Sequence, residues 1–141
     1  MSVRSVAAAA ILAGLLSACS TSSESLLSPS STAPLDGTWR LTRMTSAAGI
    51  HDEALTANRF NVTFTGSSLS AKVDCNRCGG SSTLADDTLI LGALACTRAA
   101  CASSPVDSQF AALLAGTKTV SVNYRVLVLS GTDGSALRFE R

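Results

Sequence analysis

The sequence predicts a mainly β fold of the α+β class: a small antiparallel β-barrel or strongly curved sheet of about eight strands with one helix. Three observations predict it. Apolar and polar residues alternate in short runs along most of the chain after residue 35. Compact turn signals such as Gly66-Ser67-Ser68, Asp86-Asp87 and Gly131-Thr132-Asp133-Gly134 separate the runs. A single stretch near residue 105 switches to helical spacing. Consecutive short strands joined by tight turns favour a barrel or curved sheet, with the helix plugging or covering one end. A two-sheet sandwich is the alternative.

The 141 residues allow one domain and an appendage. Residues 1–18 read as a signal peptide. Arg4 supplies the positive start, and Val6 to Leu16 form an apolar run too short to span a bilayer. The run ends in Leu16-Ser17-Ala18-Cys19, which resembles the bacterial lipobox, where a cysteine is acylated and becomes the new N-terminus. Lipidation at Cys19 (palmitate among the acyl chains) then anchors the chain, each buried methylene contributing about 0.8 kcal/mol. Ser20 in the next position resembles lipoproteins sent to the outer membrane of a Gram-negative host. Residues 19–34 are serine-rich with two prolines and cannot bury enough apolar surface to offset their ordering entropy, so they read as a flexible tether. The globular domain is expected over 35–141.

Asp36-Gly37 is a turn signal, and Thr38 to Arg43 alternate with Trp39 and Leu41 on one face. Residues 45–58 lack periodicity and read as a loop around His51-Asp52-Glu53. Phe60, Val62 and Phe64, then Leu69, Ala71 and Val73, form two alternating runs joined by a hairpin turn. Thr83-Leu84 and Leu89-Ile90-Leu91 flank Asp86-Asp87 as another hairpin. Ser104 suits an N-cap and Pro105 the first helical position. Val106, Phe110, Leu113 and Leu114 follow at helical spacing, and Gly116 is placed to end the helix. Strands at 119–123, 126–130 and 136–140 close the chain.

At this point the residues carry a resemblance. Leu35-Asp36-Gly37-Thr38-Trp39-Arg40-Leu41 resembles the opening of the META domain, the family of the heat-shock-associated protein HslJ. Cys75-Asn76-Arg77, Thr97-Arg98-Ala99-Ala100-Cys101, and Leu127-Val128-Leu129 with Asp133-Gly134 and Leu137-Arg138-Phe139 resemble three further blocks of it, in order. The chain departs from that pattern at Val73-Asp74, at Ala99-Ala100, and at Asn123-Tyr124, where an Asp-Gly turn is more usual. The resemblance implies a role in envelope stress tolerance or resistance to toxic compounds.

Chemistry-bearing residues are few. Without Arg4 the chain carries ten basic and ten acidic side chains, which gives no electrostatic reason to expect nucleic acid. Cys75, Cys78, Cys96 and Cys101 have the spacing of a structural zinc site, but an oxidising compartment selects disulfides. Hairpin register about Asp86-Asp87 sets Cys78 opposite Cys96 and Cys75 opposite Cys101, whereas the crossed pairing breaks register. The resemblance agrees, since Cys75 and Cys101 occupy the two positions common in the family. A redox reading of Cys75-x-x-Cys78 lacks the strand–helix–strand setting that lowers a thiol pKa. His51 with Asp52 and Glu53 is a solvated polar cluster, and the serine-hydrolase, metalloprotease and phosphate-loop motifs are missing from the sequence.

The expectation is therefore a non-enzymatic cell-envelope lipoprotein with no metal or cofactor, held in the membrane at Cys19 and acting through contacts with other envelope proteins. The alternative is a lipocalin-like barrel binding a small apolar ligand in a cavity lined by Trp39, Phe60, Phe64, Phe110 and Phe139.

Overall fold

The computed structural model describes residues 32–51, 58–102 and 105–141. The expected signal peptide and lipidation site Cys19, the expected tether up to residue 31, Asp52-Glu53 and Ser103-Ser104 lie outside the described residues.

The described elements are β1 (Gly37–Ser46), β2 (Gly49–His51), β3 (Phe60–Thr65), β4 (Ser68–Val73), β5 (Asn76–Ala85), β6 (Thr88–Leu91), β7 (Ala95–Cys96), α1 (Pro105–Leu113), β8 (Gly116–Asn123), β9 (Val126–Ser130) and β10 (Ala136–Glu140). Eight of these strands follow one another antiparallel around a ring, β1-β3-β4-β5-β6-β8-β9-β10, and β10 returns to pair with β1. The result is a closed up-and-down barrel, which removes the exposed sheet edges that an open sheet of this length would carry. β2 folds back antiparallel onto the end of β1, and β7 lies beside β5.

Closure depends on β1. Its first residues pair with β3, Gly37 opposite Phe64 and Arg40 opposite Asn61, while Arg40 to Thr45 pair with β10 on the other side. The register with β10 slips between Leu41 and Arg43, leaving Thr42 as the extra residue of a bulge whose hydroxyl donates to the Arg138 carbonyl at 3.2 Å. The bulge re-phases the strand, so Trp39, Leu41 and Met44 all face inward despite the broken alternation.

Two expectations change here. The segment 45–58 is not all loop: β1 runs to Ser46 and turns back as β2, with Met44 opposite His51. The domain also begins earlier than residue 35. Thr32 is buried, its hydroxyl donates to the Gly66 carbonyl, and Ala33–Leu35 form a 3-10 turn whose Leu35 carbonyl accepts from Trp39 Nε1 at 2.7 Å. Residues 32–34, read as the end of the tether, belong to the barrel.

The interior is filled. Trp39, Phe60, Phe64, Phe110 and Phe139 are all fully buried, with Leu41, Val62, Leu69, Leu89, Leu127, Leu129 and Leu137 between them. Each such side chain contributes about 1.5–3 kcal/mol on leaving water. α1 closes one end. Phe110 enters the barrel edge-on to Phe60, with ring centroids 5.3 Å apart, and meets Phe139 at 6.3 Å. Register places the turns 66–67, 86–87 and 124–125, with residues 32–36, at the opposite end.

Candidate functional site

The end of the barrel that carries α1 also carries all four paired cysteines. Cys75-Asn76-Arg77-Cys78-Gly79-Gly80 is not a connection between strands. From Asn76 onward it is the first half of β5, paired residue by residue with β4 from Val73–Asn76 to Ser68–Ser81. Alternation along β5 sends Cys78 inward, where it is 5 % exposed. Gly80 lies under the returning chain: a Cβ there would meet Leu94 Cδ2 at 3.0 Å and the Ala93 carbonyl at 3.1 Å. Only glycine lets residues 92–94 pass so close.

Two nested bridges close this end. Cys78 lies directly opposite Cys96 in the β5–β7 pairing and is joined to it, with Cα atoms 4.0 Å apart. Cys75 is joined to Cys101 with a Cα separation of 5.8 Å. Between them Asn76 brackets residues 97–101. Its Oδ1 accepts from the Thr97 hydroxyl at 2.9 Å and the Ala99 N–H at 2.8 Å, and its Nδ2 donates to Cys101 Sγ at 3.1 Å. Arg77 N–H donates to Thr97 Oγ1, and Thr97 N–H to the Arg77 carbonyl. One asparagine thus supplies hydrogen bonds that a neighbouring strand would otherwise make.

Beside the outer bridge, Asp74 takes a left-handed turn conformation (φ 55°) and accepts from Arg59 Nε at 2.7 Å. Arg59 Nη2 also lies 3.9 Å from Asp107 on α1, so this guanidinium ties the β4–β5 turn to the plugging helix. The hydrogen bond from Arg59 is the main reason that the Asp74 carboxyl is held below its ordinary 3.8, with the Arg59 charge and the Cys75 N–H adding to it against a smaller opposing effect of burial. Asp133, bonded by the Ser135 hydroxyl and N–H, is lowered too. A carboxyl depressed by folding contributes stability above its unfolded pKa and loses it as pH falls through its folded value. Asp74→Asn is therefore expected to flatten the acid side of the stability–pH curve, measured by urea unfolding between neutral and strongly acidic pH. An unchanged acid limb would show that the pair is not linked to folding.

Asp74, Cys75 and Cys101 place their ligand-type atoms within 4.8 Å of one another. In the bridge the sulfurs are not thiolates, and the carboxylate is engaged by Arg59, so this grouping lacks the charge that a cation needs. Cys75 and Cys78 are each bonded elsewhere rather than to each other, so they do not form an exchange pair. The aromatic residues considered as a cavity lining are core. Two open hollows on the described surface lie outside the barrel. One, of about 490 Å³, sits between Asn76, Cys101 and the start of α1. The other, of about 520 Å³, lies on the outer wall over β8, β9 and β10. The outer-wall groove had no signal in the sequence beyond the unusual Asn123-Tyr124 turn.

A family model of the META domain matches residues 32–141, the whole described domain from its first buried residue. The chain belongs to the META domain family. Solved structures with the same fold include a protein from Burkholderia xenovorans determined by NMR, 26 % identical, with a TM-score of 0.62 over 77 % of this chain and 84 % of that one. A DUF4847 family protein from Bacteroides vulgatus, 15 % identical, shares the fold with a TM-score of 0.55 over 75 % of this chain and 92 % of its own. A search of curated proteins returns no match. The META domain of this chain is thus a disulfide-clasped, closed barrel with a helix in one end.

Proposed function

We propose that the chain is a lipid-anchored envelope protein whose META domain works by contact with other envelope proteins and not by catalysis, supporting tolerance of envelope stress or toxic compounds. The observation that carries this reading is the filled barrel. Lipocalin-type barrels share the up-and-down topology and hold a ligand inside, but here five aromatic side chains occupy that space. Recognition is left to the outer wall. The two bridges are in keeping with an exported protein.

The anchor is testable by expressing the wild-type chain and Cys19→Ala in a bacterial host and fractionating the cells. The wild type is expected in the membrane fraction with a mass increase of three acyl chains, and the variant among soluble envelope proteins. A Cys19→Ala chain that stays in the membrane fraction overturns the lipoprotein reading. Loss of the gene in its own host is expected to sensitise cells to heat or toxic compounds, and restoration by Cys19→Ala alone would separate function from anchoring.

A further inference from the structure

The outer wall carries one feature that the fold does not need. The β8–β9 hairpin turns through Tyr124-Arg125, and Tyr124 sits in the left-handed region with φ 50°. That region suits glycine or asparagine and strains a bulky side chain. Tyr124 is also 92 % exposed, so its ring adds nothing to the core. The hairpin turns at Gly66, Asp74 and Asp86 take the same conformation with small or short polar residues. Among the described residues, only here does the turn carry a large exposed ring that is free to meet something outside the fold.

Its neighbours are built in register. Ser121 lies opposite Val128 and Val128 opposite Arg138, forming an outward row across β8, β9 and β10. Val126 stands in the next outward row. The two valines are half-buried and form the apolar floor of the 520 Å³ groove, with Tyr124, Arg125 and Arg138 on its sides. Both guanidiniums are steadied: Arg138 by Glu140 at 2.9 Å, and Arg125 by the carbonyl of Arg141. Each has further N–H groups beyond those bonds. β8 also outruns its neighbour β6. Their pairing stops at Thr88–Thr119, and Val120 N–H donates to Asp87, so residues 121–123 have a strand on only one side among the described residues. Backbone groups at Val122, which is 41 % exposed, face that open edge.

We propose that this groove is a docking site for an extended segment of a partner protein that presents apolar side chains next to carboxylates. The apolar side chains lie on Val126 and Val128 against the Tyr124 ring, the carboxylates meet Arg125 and Arg138, and the open edge of β8 offers main-chain hydrogen bonds at the rim. The guanidiniums of Arg125 and Arg138 line the groove, and no carboxylate side chain does among the described residues, which favours acidic over basic segments. This site rests on the protein-contact reading above but not on the anchor, so peptide binding and membrane fractionation can fail independently.

Tyr124 is the only tyrosine in the chain, so ring-labelled tyrosine gives one NMR signal from the groove itself. The purified full chain is titrated with an end-capped hexapeptide of alternating leucine and glutamate, and with its leucine–lysine counterpart. The acidic peptide is expected to shift the Tyr124 signal saturably, and the basic one to leave it in place. Arg138→Gln is expected to weaken the acidic peptide by about tenfold. With dye-labelled peptide, Tyr124→Gly is expected to lose binding while raising Tm, because glycine relieves the turn. A purely structural tyrosine would not give that opposite pair. Equal shifts with both peptides, no shift with either, or unaltered binding by Arg138→Gln would overturn the proposal.

Discussion

Removing both disulfides is expected to cost this protein about 5–6 kcal/mol, most or all of the stability of a small domain. The bridges close loops of 26 and 18 residues, one inside the other. Nesting makes the two losses interdependent. With Cys78–Cys96 intact, opening Cys75–Cys101 frees only the short segments between the bridges, so Cys75→Ser with Cys101→Ser costs about 2.5 kcal/mol. Opening the inner bridge within the intact outer one costs about 2 kcal/mol by the same reasoning. The loss of both therefore exceeds the two single losses together by about 1 kcal/mol, because each bridge alone preserves part of the other's constraint. Urea unfolding of the two paired-serine variants and the four-serine variant measures all three values. Strict additivity would show that the loop entropy of the unfolded chain is not what the clasp restricts. Peptide mapping without reduction that joined Cys75 to Cys96 would remove the nested arrangement itself.

Phe110→Ala is expected to destabilise the domain by about 3–5 kcal/mol, the largest effect foreseen for a single residue. Phe110 is fully buried, and it is the side chain through which α1 engages the barrel, edge-on to Phe60 and tilted on Phe139. Rigid strand walls cannot collapse into the space of a missing ring, so a cavity remains between these two phenylalanines. The variant is therefore expected to take up a small apolar probe such as benzene, detectable as a ligand-dependent rise in Tm, where the wild type takes up none. A loss below about 1 kcal/mol would mean that the helix is a cover lying over the barrel and not its plug.

Much of the barrel was legible in the sequence because an antiparallel sheet with one wet face imposes a period of two. β3, β4, β9 and β10 follow the alternation nearly to the residue, and Asp86-Asp87 and Gly131 to Gly134 stand at the turns. The helix was equally legible from Pro105, Val106 and Phe110. Misses fall where something other than pattern decides. β1 was read as ending at Arg43 because the bulge at Thr42 breaks the period while keeping Met44 inside. β2 is too short to show a pattern, and its pairing comes from the β1 hairpin. Gly79-Gly80 hid the first half of β5, since glycine carries no apolar signal even where close chain approach requires it. Thr32 looked like tether because its burial depends on Gly66, thirty-four residues away.

The cysteine clasp was visible as a motif, and the outer-wall groove was not. The alternating strands β3, β4, β9 and β10, the turns at Asp86-Asp87 and Gly131 to Gly134, and the helix at Pro105–Leu113 are local properties, and the sequence by itself determined them. Only the tertiary structure decided that β10 closes on β1, that five aromatic side chains fill the barrel, and that Ser121, Val128 and Arg138 form one row beside Tyr124. These depend on contacts between residues far apart in the chain. Periodicity says which face a side chain takes, but only closure of the sheet says what that face meets.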